Sequence, residues 1–105
     1  MQEFTGKVAV VTGAANGIGF ALAERFAREG MRVALADVHQ PSLDAAAERL
    51  RSAGATVLAH QTDVADAASV EALAERVYQE WGAVHVLCNN AGVGTVTTDR
   101  AWEHS

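Results

Sequence analysis

Val10-Val11-Thr12-Gly13-Ala14-Ala15-Asn16-Gly17-Ile18-Gly19 is the stretch whose reading decides the fold. An apolar run gives way to three glycines within seven residues, and a helical pattern, FALAERFAREG, follows at once. A strand running into a helix leaves the helix's first N–H groups without intrahelical partners, at the positive end of its dipole. A diphosphate set there gains hydrogen bonds and charge stabilisation together. Glycine lets the backbone approach such a group, permits the tight turn, and lets the helix pack closely on the sheet. The bland alternative is a glycine-rich connection with no ligand; three glycines in this context favour a nucleotide. The spacing is G-x3-G-x-G, not G-x-G-x-x-G. It also lacks the Gly-Lys-Ser/Thr ending of a phosphate-binding loop, which disfavours ATP or GTP hydrolysis.

Outward from this turn, two periods alternate. Short Val- and Leu-rich runs at Lys7 to Thr12, Arg32 to Asp37, Thr56 to Gln61 and His85 to Asn89 predict strands buried on both faces, as in a parallel sheet. Between them, Ile18, Leu22 and Phe26 repeat at helical spacing. So do Leu43, Ala46, Ala47 and Leu50, and then Val70, Leu73, Ala74, Val77 and Trp81. Pro41 suits a first helical turn, Asp66 an N-cap, and Gly30, Gly54 and Gly82 the left-handed stop after each helix. Strands and helices in strict alternation imply an α/β fold with a parallel sheet between helical layers. Periodicity leaves the strand order open between growth in one direction and a reversal about the first strand. The glycine turn selects the reversal, a Rossmann-type three-layer αβα arrangement with order 3-2-1-4.

Composition sets the outer bounds. The chain has 105 residues, half of them hydrophobic and a fifth charged, as in an ordinary globular domain. A net charge of −5 with scattered Lys and Arg offers no footprint for nucleic acid. No apolar run approaches the length of a membrane span, and no signal-like leader opens the sequence. A single cysteine, Cys88, suits a reducing compartment, so a cytoplasmic protein is expected. Cys88 reads as a small core residue. The four histidines show no ligand spacing, so no metal site is expected. Ser42 and Ser69 lack the turn and base of a hydrolase nucleophile.

Asp37 ends the second predicted strand, eighteen residues beyond Gly19. A carboxylate there accepts hydrogen bonds from ribose hydroxyls and repels a 2′-phosphate. The alternative is a solvated cap on the following helix. Neither Asn16 nor Val38 is basic, so the pattern favours NAD(H) over NADP(H). Asp63-Val64 follows the third strand and Asn89-Asn90-Ala91-Gly92 the fourth, where open α/β sheets bind ligands.

Taken in order, TGAANGIG at Thr12 to Gly19, Asp37, Asp63-Val64 and NNAG at Asn89 to Gly92 resemble the N-terminal half of the short-chain dehydrogenase/reductase family. The resemblance runs from about Gly6 to Val93. It implies that Gly13, Gly17, Ile18 and Gly19 line the pyrophosphate, and that Asp37 and the Val38 backbone meet the adenosine ribose. It further implies that Asp63 bonds the adenine amine with Val64 behind the ring, and that Asn90, Ala91 and Gly92 run past the ribose. Asn16 stands where members preferring NADP carry a basic residue.

The family's Ser and Y-x-x-x-K have no counterpart here: Tyr78 is followed by QEWG, and the lone Lys7 sits in the first strand. No catalytic residue is therefore assigned, and Tyr78 reads as a packing or surface residue. The stretch GTVTTDRAWEHS resembles a loop leading to a further helix. The chain thus reads as residues 1–105 of one NAD(P)-binding domain whose catalytic half lies downstream, inactive alone. The complete protein is expected to act on a small alcohol or carbonyl substrate and to form a homo-oligomer. The rivals are a non-catalytic dinucleotide-binding module and an S-adenosylmethionine methyltransferase. In the 3-2-1-4 order the fourth strand is expected at the edge, its outer side bare, making the isolated chain marginally stable.

Overall fold

A computed structural model describes residues 5–15 and 17–89, together with the backbone of residues 95–96. Five strands and three helices follow in the order β1 (Val8–Thr12), α1 (Gly17–Arg28), β2 (Arg32–Asp37), α2 (Gln40–Ser52), β3 (Val57–Gln61), α3 (Ala67–Trp81), β4 (Val86–Asn89) and β5 (Thr95–Val96). The sheet order is β3-β2-β1-β4-β5. The first four strands run parallel, in the 3-2-1-4 order expected of a Rossmann-type fold.

The fifth strand corrects one expectation. β5 pairs antiparallel with β4, setting Leu87 opposite Val96 and Cys88 opposite Thr95. The outer side of β4 is therefore partnered over these residues and is not a bare edge. A two-residue strand is too short to carry a hydrophobic period, which is why its stretch read as a loop.

Burial follows position in the sheet. All five residues of β1 are buried, as are Val33 to Ala36 of the neighbouring β2. β3, at the sheet's edge, and β4 are only partly buried, short of the two-sided burial their apolar runs suggest. Alternate residues feed two cores. Ala9, Val11, Val33 and Leu35 pack under α1 and α2 with Leu43, Ala47 and Leu50. Val8, Val10, Ala34, Ala36 and Leu58 pack under α3 with Leu73, Val77 and Val84. Arg49 lies 4.3 Å over the Phe20 ring and ties α2 to α1. Cys88 is buried in the first core.

The helix termini form as their residues dictate. Asp66 caps α3 by accepting the Ala68 N–H, and Pro41 stands in the first turn of α2. Gly30, Gly54 and Gly82 all adopt positive φ. The α1 stripe, by contrast, is turned from its expected position. Ile18 is 75% exposed, while Gly19 and Ala23 face the sheet, flanked by the partly buried Leu22 and Phe26. Close packing on the glycine turn forces this rotation, because only the residue without a side chain fits beneath.

Candidate functional site

Register brings the predicted residues to one rim. Thr12 pairs with Ala36 on one side and Asn89 on the other, and Asp37 pairs with Gln61, so the C-terminal ends of four strands lie in line. The Thr12 hydroxyl is 2.8 Å from Asn89 Oδ1 and ties β1 to β4 there.

Between β1 and α1 the backbone turns at Gly13, whose φ of 61° is in the left-handed region that side chains disfavour. Gly19 serves a different need. A Cβ on it would lie 2.8 Å from the Gly13 carbonyl carbon and 3.1 Å from Ala14 Cα, and closer still to the Gly13 oxygen. Gly17 serves neither: a Cβ there would meet nothing within 4 Å. One glycine makes the turn, one lets the helix sit on it, and one leaves bare ground outside. The first turn of α1 carries no acidic residue of its own.

The turn is held from β2. Ala14 N–H donates to the Ala36 carbonyl at 3.1 Å, and Ala15 N–H to Asp37 Oδ2 at 3.0 Å. Asp37 Oδ1 accepts the His39 N–H at 3.2 Å. On the neighbouring strand, Gln61 Nε2 donates to the Val38 carbonyl at 3.0 Å and Thr62 N–H to the Asp37 carbonyl at 2.9 Å. Asp63 and Val64 stand at the start of the β3–α3 loop, where Asp63 Oδ1 accepts the Ala65 N–H at 3.0 Å. Asn16, Asn90, Ala91 and Gly92 lie outside the described residues.

The exposed large hydrophobic side chains among the described residues are Ile18 (75%), Val38 (62%) and Val64 (39%). All three stand on this rim, Ile18 in the first turn of α1 and Val38 and Val64 on the loops after β2 and β3. A cavity of about 840 Å³ opens nearby, between α3 and β4, lined by Thr12, Thr62, Val64, Leu73, Tyr78 and Asn89. It shares Thr12, Val64 and Asn89 with the rim but lies to the side of the glycine turn. Tyr78 packs against the second core, in keeping with a packing role.

With this geometry in view, likeness to known proteins decides the family. The family model described as short chain dehydrogenase matches residues 7–104. The chain belongs to the short-chain dehydrogenase/reductase family. It is 46% identical over 97 residues to 1-deoxy-11-beta-hydroxypentalenate dehydrogenase of Streptomyces arenae, covering 92% of this chain and 34% of that protein. It is 41% identical over 103 residues to (+)-neomenthol dehydrogenase of Arabidopsis thaliana, covering 94% of this chain and 35% of that one. A crystal structure of a short chain dehydrogenase/reductase from Burkholderia phymatum in complex with NAD superposes with a TM-score of 0.80 at 48% identity. That match covers 83% of this chain and 31% of that one. The chain therefore spans about a third of the length of the relatives it matches.

Several contributors were not legible from the family motifs. His39 caps α2, its ring nitrogen 3.4 Å from Ser42 N and 2.6 Å from Ser42 Oγ. Gln61 secures the Val38 carbonyl. At the opposite rim His85 Nδ1 accepts the Val8 N–H at 2.9 Å. Histidine and glutamine at strand ends are common enough that only the register shows what they reach.

Proposed function

We propose that this chain forms the NAD(H)-binding, N-terminal part of a single Rossmann domain, residues 1–105, in a dehydrogenase that acts on an alcohol or carbonyl substrate. In that reading Gly13, Gly17, Ile18 and Gly19 receive the diphosphate, and Asn16 flanks the cofactor where a basic residue would favour NADP(H). Asp37 and Val38 receive the adenosine ribose, Asp63 and Val64 the adenine, and Asn90, Ala91 and Gly92 run past the ribose. When bound, the nicotinamide supplies a centre that accepts or gives a hydride. The chain's own residues bind and orient: bare main-chain amides for the phosphates, a carboxylate for the ribose, and apolar flanks that shed water on contact.

What carries the reading is the company that Ile18, Val38 and Val64 keep. A fold whose exposed large apolar side chains, among the described residues, gather on one rim, around a glycine turn with open ground at Gly17, is suited to a flat, partly apolar ligand with an anionic centre. Asp37 favours NAD(H), because a 2′-phosphate beside its carboxylate meets like charge.

Fluorescence titration of the full-length protein with NADH and NADPH tests this. NADH is expected to bind tighter by about tenfold or more, a difference of ~1.4 kcal/mol, with Asp37→Ser narrowing the gap. Equal affinity for the two cofactors, or tighter NADPH, contradicts the preference.

A further inference from the structure

Asp37 joins more of the rim than a ribose contact requires. Its Oδ2 accepts from Ala15 in the β1–α1 loop, its Oδ1 from His39 in the β2–α2 loop, and its main-chain carbonyl from Thr62 leading into the β3–α3 loop. These bonds measure 3.0, 3.2 and 2.9 Å. One residue thus ties together the loops that follow the first three strands, next to Ile18, Val38 and Val64.

The Ala15 bond is the informative one. Ala15 lies inside the glycine turn, between Gly13 and Gly17, where the chain has given up side-chain restraints. Such a turn has many conformations open to it, and ordering it on binding costs affinity. Two bonds oppose that freedom among the described residues: Ala14 N–H to the Ala36 carbonyl, which any residue at 36 could provide, and Ala15 N–H to the Asp37 carboxylate. Only the second depends on a side chain. Both of its partners belong to the chain, so the bond itself needs no nucleotide.

We infer that Asp37 is a positioning residue for the diphosphate turn, fixing it through Ala15 N–H independently of any bond to ribose hydroxyls. This rests on the cofactor reading above and deepens it. A carboxylate near a diphosphate also carries a repulsive cost. The inference therefore says that holding the turn outweighs that repulsion, and the balance can be measured.

A probe with the diphosphate and no ribose hydroxyls separates the two roles. Affinity of the full-length protein for 2′,3′-dideoxyadenosine 5′-diphosphate is compared for wild type, Asp37→Ala and Asp37→Asn. Asp37→Ala is expected to weaken this probe about fivefold, the scale of one lost hydrogen bond. Asp37→Asn, which keeps one acceptor oxygen, is expected to recover at least half of that loss. The Ala15 amide supplies a ligand-free readout: its hydrogen exchange should be about tenfold faster in Asp37→Ala than in wild type. If Asp37→Ala binds the probe as well as wild type, or if Asn rescues nothing, the positioning role is overturned. Should Asp37→Ala fail to fold, Asp37→Val, which also lacks an acceptor, takes its place, and Ala15 exchange and probe affinity both equal to wild type in that variant overturn the role as well. A wild-type protein that binds neither ADP nor the dideoxy probe brings down the cofactor reading itself.

Discussion

The β1–α1 and β3–α3 loops do the same topological work, each carrying the chain from a strand's C-terminal end into a helix, yet they handle their polar groups in opposite ways. After Thr62, whose N–H donates to the Asp37 carbonyl, the β3–α3 loop is self-sufficient. Ser69 Oγ takes the Asp63 N–H, the Asp63 carboxylate takes Ala65, the Asp63 carbonyl takes Asp66, and the Asp66 carboxylate takes Ala68. The β1–α1 loop borrows its acceptors from β2, through Ala36 and Asp37, and at Gly17 presents open backbone. A loop that satisfies itself needs only to connect. A loop that relies on a neighbour for its shape and leaves open space at Gly17 fits the proposed diphosphate site. Glycine at 13, 17 and 19 against Ser69, Asp63 and Asp66 is the chemical form of that difference.

Substitutions can break this contrast, beginning with the largest expected effect. Gly19→Ala drives a methyl into the Gly13 backbone. It should cost about 3 kcal/mol of stability, since packed backbone yields poorly to added volume. Denaturant unfolding of the full-length protein measures this, and NADH affinity should fall with it. Gly13→Ala puts a side chain at a φ of 61° and should cost about 1–2 kcal/mol by the same assay. Asp66→Ala removes the cap of the self-sufficient loop and should cost about 1 kcal/mol, leaving NADH affinity as it was. A loss of NADH binding in Asp66→Ala without unfolding would erase the distinction between the two loops.

Much of this arrangement could be read from the residues alone, where the cause is local. The α2 stripe of Leu43, Ala46, Ala47 and Leu50 is buried as its period dictates, and the Asp66 cap and the glycine stops form where short-range chemistry puts them. The glycine turn and Asp37 were legible because strand, turn, helix and acid stand at meaningful separations along the chain. What escaped is tertiary. Ile18 belongs to the helical stripe by spacing, but the demand for a bare residue at 19 rotates it outward. Thr95 and Val96 show no period, and only the presence of β4 beside them makes a strand. The second partner of Asp37, the Ala15 amide, depends on the β1–β2 register, which no single segment encodes.

The central claim is that the glycine turn is shaped for a diphosphate from outside the chain, and Gly17 tests it most directly because the fold itself asks nothing of that position. Gly17→Ala places a methyl in open space, so unfolding free energy should stay within about 0.5 kcal/mol of wild type. NADH affinity of the full-length protein should nevertheless drop by about tenfold or more, the equivalent of ~1.4 kcal/mol, as the methyl stands between the backbone and the phosphates. Unchanged stability together with unchanged NADH affinity would contradict the account.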